Sequence, residues 1–127
     1  MRNFRQLDVW RKAHELTLEV YRLTANFPNQ ERYGLTSQLQ RASASIGANL
    51  AEGCGRETDA DFKRFVQMAC GSACEVEYHL LLAMDLSLIN IATHEKLNAN
   101  VNEVKRMLVG LTRYLESENV DRRSTPR

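Results

Sequence analysis

The chain is 127 residues long, 43% hydrophobic and 26% charged, the size and balance of one globular domain that buries a core without disulfides or structural metal. Its formal charge of +1 excludes attachment to nucleic acid by bulk charge alone. No apolar run approaches the roughly 20 residues needed to cross a bilayer, and the opening Met1–Gln6 lacks the apolar stretch of a signal peptide, so a cytoplasmic protein is expected.

Helical periodicity dominates, and nothing alternates with period two for long. In the first segment Val9, Ala13, Leu16, Val20, Leu23 and Phe27 step by four and three, the repeat of one helix face. Beside it runs a second stripe of Leu7, Trp10, His14, Thr17, Tyr21 and Thr24. A helix over residues 6–26 is predicted, ending before Pro28 because the residue ahead of a proline resists the α region. After a loop containing Tyr33 and Gly34, a second helix over 35–53 carries Leu35, Leu39, Ala42, Ile46 and Leu50 as its core stripe. Its other positions are small (Ser43, Ala44, Ser45, Gly47, Ala48, Ala51), which lets neighbouring backbones approach, and Gly53 and Gly55 supply a stop.

Thr58, followed by Asp59 and Asp61, opens a third helix over 59–89 as an N-cap with acids in the first turn. Phe62, Val66, Ala69, Ala73, Val76, Leu80 and Ala83 form its core stripe. Thr93 is the expected cap of a fourth helix over 94–116, where Leu97, Val101, Val104, Leu108, Leu111 and Leu115 repeat at heptad spacing. The fold class that follows is all-α, an antiparallel up-down-up-down four-helix bundle over residues 1–117. The polar stretch 118–127 is expected to be a disordered tail. Two-sided apolar character in the first helix, with Trp10 and Tyr21 on the second stripe, is compatible with a filled monomer core or with a homo-oligomer contact.

Helical bundles host di-iron enzymes, which need a Glu-x-x-His pair on each of two helices. No glutamate here has a histidine three residues later. His-Glu-x-x-His, a Walker loop and a complete Gly-x-Gly-x-x-Gly are likewise missing. Cys54, Cys70 and Cys74 are an odd set with no disulfide framework. Cys70 and Cys74 share a helix face, but His79 falls about 140° further round, so small core or interface residues fit them better than a zinc site. No cofactor and no metal are expected, and no enzyme.

A polar stripe stands out on the second helix: Arg41, Ser45, Asn49, Glu52 and Arg56 recur at three- and four-residue spacing among alanine and glycine. Pairing across helices or between subunits is its commoner meaning, and a site for an anionic ligand is the alternative. A catalytic Glu52 with Ser45 as nucleophile finds no histidine within sequence reach. Charge is uneven as well. Residues 1–28 carry net +2, residues 57–90 net −4 and residues 91–127 net +2, and thirteen of the seventeen basic residues are arginine, whose planar fork suits phosphate or carboxylate. The first and fourth helices of a bundle are neighbours, so Arg5, Arg11 and Lys12 are expected to meet Lys105, Arg106 and Arg113 on one surface, as a solvated face or as a nucleic-acid contact.

Phe27-Pro28, Glu31-Arg32-Tyr33-Gly34-Leu35, Gln38, Arg41-Ala42, Ser45-Ile46, Asn49-Leu50-Ala51-Glu52-Gly53 and Arg56, then Phe65, Ala69 and Gly71-Ser72-Ala73-Cys74-Glu75, resemble the four-helix bundle family encoded in intervening sequences of bacterial large-subunit ribosomal RNA genes. The resemblance covers residues 4–115. It implies a homopentamer arranged as a barrel around a central channel, and it implies no enzyme. A related branch, the accessory variability proteins of diversity-generating retroelements, binds nucleic acid and a reverse transcriptase through a basic surface. This chain departs from that branch in being nearly neutral. The resemblance places Arg41, Asn49, Glu52 and Arg56 at helix or subunit contacts. The function expected is a non-catalytic oligomeric module that binds RNA or DNA. The alternative is an oligomeric protein–protein scaffold without nucleic-acid binding.

Overall fold

The computed structural model describes residues 2–124, with side chains described through residue 118. Four helices account for nearly all of it: α1 (Asp8–Thr24), α2 (Ser37–Cys54), α3 (Asp59–Asp85) and α4 (Ile91–Ser124). Among the described residues there is no strand. Each helix packs on its chain neighbour, and α1 also packs on α4, so the four surround one core. The predicted stripes are that core. Val9, Ala13, Leu16 and Val20 of α1, Leu39, Ala42, Ile46 and Leu50 of α2, the whole Phe62-to-Ala83 stripe of α3, and Leu97, Val101, Val104, Leu108 and Leu115 of α4 are all buried. Burying a large apolar side chain contributes roughly 1.5–3 kcal/mol, against 0–1 for an exposed ion pair, so these stripes rather than the surface charges hold the bundle together.

Residues that meet across helices run in opposite chain order. Gln40 donates to Thr24 Oγ1 at 3.0 Å and Thr17 donates to the Ser43 carbonyl at 2.9 Å, both between α1 and α2. Lys105 reaches Glu77 at 3.0 Å and Lys63 reaches Glu116 at 3.4 Å, between α3 and α4. Lys12 lies 3.7 Å from Glu103 and Asn100 donates to Glu19 at 3.3 Å, between α1 and α4. No helix among the described residues is long and apolar enough to cross a membrane.

The helix ends depart from the periodicity in instructive ways. Residues Phe4–Gln6 form a separate 3-10 turn, capped by Asn3 Oδ1 accepting from the Arg5 amide at 3.1 Å, so α1 starts at Asp8 rather than at residue 6. The expected loop at Tyr33 and Gly34 is a π-helical turn, Arg32–Thr36, that feeds directly into α2. Thr58 caps α3 as predicted, accepting from the Asp61 amide at 3.1 Å. α3 ends at Asp85, short of residue 89, because Ser87 takes a left-handed φ of 62°. The amides of Ser87 and Leu88 then bond back to Met84 and Ala83 at 2.9 Å, closing a Schellman motif.

α4 is capped by Asn90 and not by Thr93: Asn90 Oδ1 accepts from the Thr93 amide at 2.8 Å, which starts the helix at Ile91. At its other end α4 runs to Ser124, past the end expected at residue 116, and residues 125–127 of the expected tail lie outside the described residues. The apolar repeat in the sequence stops at Leu115, so periodicity marks no helix beyond it.

Candidate functional site

α2 and α3 make the most extensive helix contact in the molecule, and small residues explain why. A Cβ built on Gly53 would lie 2.8 Å from Phe65 Cβ and 2.9 Å from Phe62 Cδ1, so the α2 backbone rests against the Phe62 ring and the stem of Phe65. The predicted stop at Gly53 is therefore a packing requirement; the helix runs one residue past it and closes at Gly55. Arg2 stands over the Phe62 ring at 4.6 Å and bonds Asp59 at 2.7 Å, covering this corner from outside.

The polar stripe of α2 divides along this seam. In its middle, Ser45 Oγ bonds Ser72 Oγ of α3 at 2.9 Å, and Asn49 Nδ2 donates to the Ser45 carbonyl at 2.9 Å and to Ser45 Oγ at 3.1 Å. At the C-terminal end, Arg56 bonds Glu52 at 3.0 Å on the surface and lies 4.7 Å over the Phe65 ring. At the other end Arg41 is exposed and makes no ion pair or hydrogen bond with any described residue. The five residues do not act as one site: two are knitted into the helix contact, two pair with each other, and one is open. Ser72 and Glu75, the α3 residues that meet this stripe, were not singled out for it from sequence; their three-residue spacing on one face is the signal that could have found them.

The second candidate surface is the outer side of α4. Asn102, Lys105, Arg106, Val109, Gly110 and Arg113 line a groove of about 570 Å³. A neighbouring groove toward α3, about 480 Å³, shares Val109 and Arg113 and adds Cys70, Gly71 and Thr112. Lys105 is committed to Glu77, and that hydrogen bond holds its ammonium above the ordinary 10.5. Burial, followed by the neighbouring Cys74, pushes the Cys70 thiol above 9.0 against the smaller lowering from Lys105, which makes it a poor nucleophile. Burial likewise pushes Cys54 up.

Arg106 and Arg113 are exposed and unpaired with any described residue. Of the six basic residues expected on one surface, the groove gathers Lys105, Arg106 and Arg113 and leaves out the three from the N-terminal segment. Arg11 pairs with Asp8 and donates to the Arg5 carbonyl at 3.0 Å, Arg5 stacks on Phe4 at 4.6 Å, and Lys12 is drawn to Glu103. Carboxylates thus stand beside Arg11 and Lys12, while Arg5 keeps its charge against the Phe4 ring. Among the described residues no group of three or more His, Cys, Asp or Glu side chains is placed to hold a metal ion.

This bundle, with its tight α2–α3 contact, matches the model of the 23S rRNA-intervening sequence protein family over residues 5–110. The chain belongs to that family. Among solved structures it is similar to a protein of unknown function from the S23 ribosomal protein family of Bacteroides thetaiotaomicron. The two share 27% sequence identity over 82% of this chain and 97% of that one, with a TM-score of 0.74. No curated protein matches the chain.

Proposed function

We propose that this member of the 23S rRNA-intervening sequence protein family is a non-catalytic, cytoplasmic subunit of a homo-oligomer, pentameric as the family resemblance implies, that binds RNA or DNA through the outer face of α4. The opposite chain order of the residues that meet across helices supports an up-down-up-down subunit. The observation that carries the nucleic-acid reading is the pair Arg106 and Arg113, neither ion-paired with any described residue, lining one groove. Seven residues apart, they are separated by about 10.5 Å along the helix, and the guanidinium fork suits phosphate oxygens. A net charge of +1 makes one such face a weak ligand by itself. Repetition around an oligomer multiplies its grip through effective concentration.

The test is titration with labelled RNA and DNA at several salt concentrations, for the parent and for an Arg106→Gln/Arg113→Gln double variant. Binding should fall linearly with salt on a log–log plot, with a slope of about −0.7 per single-strand phosphate contact and about −0.9 on duplex DNA. The double variant should lose up to about two contacts from that slope. Light scattering should give a native mass about five times that of the subunit; a monomer would overturn the assembly.

The second reading, a protein–protein scaffold, is favoured by a different observation. α3 exposes Met68 (46%), Tyr78 (56%) and Leu81 (42%) on its outer side. Aromatic side chains and methionine are enriched at protein interfaces. Absence of nucleic-acid binding at low salt would select this reading.

A further inference from the structure

One end of the α2–α3 polar seam is satisfied and the other is not. Beyond the knitted Ser45, Asn49 and Ser72, a cleft of about 260 Å³ opens between the helices, lined by Gln38, Arg41, Ala42, Ser45 and Glu75. Gln38 and Arg41, on α2, make no side-chain hydrogen bond or ion pair with any described residue. Glu75, on α3, makes no ion pair with any described lysine or arginine, and Nε2 of His79 one turn along lies 3.9 Å away. His79 is 9% exposed, and neither of its ring nitrogens has a hydrogen-bond partner. A guanidinium and a carboxylate thus line one small cleft without neutralising each other.

The hydroxyl count adds a donor. Asn49 Nδ2 donates to Ser45 Oγ, and the Ser45–Ser72 bond consumes one of the two serine hydrogens. The other serine hydrogen has no acceptor among the described residues. With Ser72 donating to Ser45 Oγ, one of the two orientations open to the pair, the spare hydrogen is that of Ser45, and the cleft then presents a fork of guanidinium donors, an amide and a hydroxyl hydrogen together with one anionic acceptor.

We propose that this cleft binds a small zwitterion of α-amino-acid type. Arg41, with the serine hydroxyl and the Gln38 amide, takes the carboxylate, and Glu75 takes the ammonium. Bidentate Arg–carboxylate pairs and charge-assisted hydrogen bonds are the strong members of their class. Glu75 disfavours a dianion such as phosphate by like-charge repulsion. The volume falls below the roughly 300–1,000 Å³ of sites for drug-sized ligands, which points to a molecule of about one amino acid and not to a nucleotide. The site is separate from the α4 face, so the two proposals stand or fall independently.

Backbone amide NMR of the full-length protein tests it with three probes: L-alanine, propionate, which keeps only the carboxylate, and ethylamine, which keeps only the ammonium. Alanine should shift the amides of Gln38, Arg41, Ser45 and Glu75 and should bind more tightly than either half-molecule. Arg41→Gln and Glu75→Gln should each weaken alanine binding about tenfold or more, the loss of one charge-assisted contact. Neither side chain has a hydrogen bond to a described residue to lose, so both variants should keep the parent's spectral dispersion. Three results would overturn the proposal: propionate binding as tightly as alanine, shifts unchanged in either variant, or no shift from any probe at tens of millimolar.

Discussion

The two glycine-bearing surfaces of this bundle make a controlled comparison. At the α2–α3 contact, Gly53 leaves no room for a methyl group, with Phe65 and Phe62 atoms within 3 Å of where it would sit. On the outer side of α3 and α4, Gly71 and Gly110 have nothing within 4 Å. The residue type is the same and its physical meaning is opposite. In the first case the missing side chain allows two helices to touch. In the second it leaves a shallow, open surface beside Arg113, the sort of surface that an external partner can reach.

Substitutions should separate these surfaces in order of size. Removing the ring that Gly53 rests on, Phe62→Ala, is expected to cost about 3–5 kcal/mol, because Phe62 is fully buried. Denaturant unfolding measures it, and a loss near zero would mean the ring is not part of the core. Gly53→Ala comes next, at about 1–3 kcal/mol of overpacking. Gly71→Ala and Gly110→Ala should instead stabilise the subunit by roughly 0.5–1 kcal/mol each, the ordinary gain of alanine inside a helix. If either outer variant stays folded but lowers the native mass in light scattering, that surface is covered in the assembly and is not a free face.

Within the polar seam the contrast continues at smaller scale. Asn49→Leu breaks two hydrogen bonds to Ser45 in a half-buried position, so a loss of about 1–2 kcal/mol is expected. Glu52→Leu breaks only an exposed pair with Arg56, and its effect should stay within about 0.5 kcal/mol. The two look equivalent as members of one sequence stripe, and equal melting temperatures would restore that view. Lys105→Ala, which also removes one surface pair, should cost less than about 1 kcal/mol. The hydrogen bond to Glu77 raises the Lys105 pKa above 10.5, so its contribution is full below that pH and is lost as pH rises through the higher folded value. Parent and variant stabilities should converge in alkaline solution, and a difference that persists there would point to packing by the lysine stem.

The basic patch shows where reading by neighbourhood goes astray. Arg5, Arg11 and Lys12 look like partners for Arg106 and Arg113 because the first and fourth helices adjoin, and α1 does pack on α4. Yet Asp8 lies one turn from Arg11, and Glu103 stands opposite Lys12. A nearby carboxylate competes with any external anion for such a cation, and only side-chain geometry shows which acid stands closest. The cap of α4 has the same lesson at shorter range. Thr93 and Asn90 are both good N-caps by type, and the choice fell to Asn90, whose side chain accepts from the Thr93 amide itself.

The sequence by itself determined four helices, their order and nearly all of the buried stripe, because helical periodicity is a local property: residues three and four apart share a face whatever surrounds the helix. It also carried the family, through the Arg41-to-Arg56 run on α2 and the loop that follows it. Tertiary structure alone decided which members of that run are knitted, paired or open. Ser45 meets Ser72, and Gly53 meets Phe62 and Phe65, only when α2 and α3 pack in one register. A hydrogen bond or a close backbone approach between residues far apart in the chain depends on ångström-level placement of two helices, which no spacing within either helix encodes.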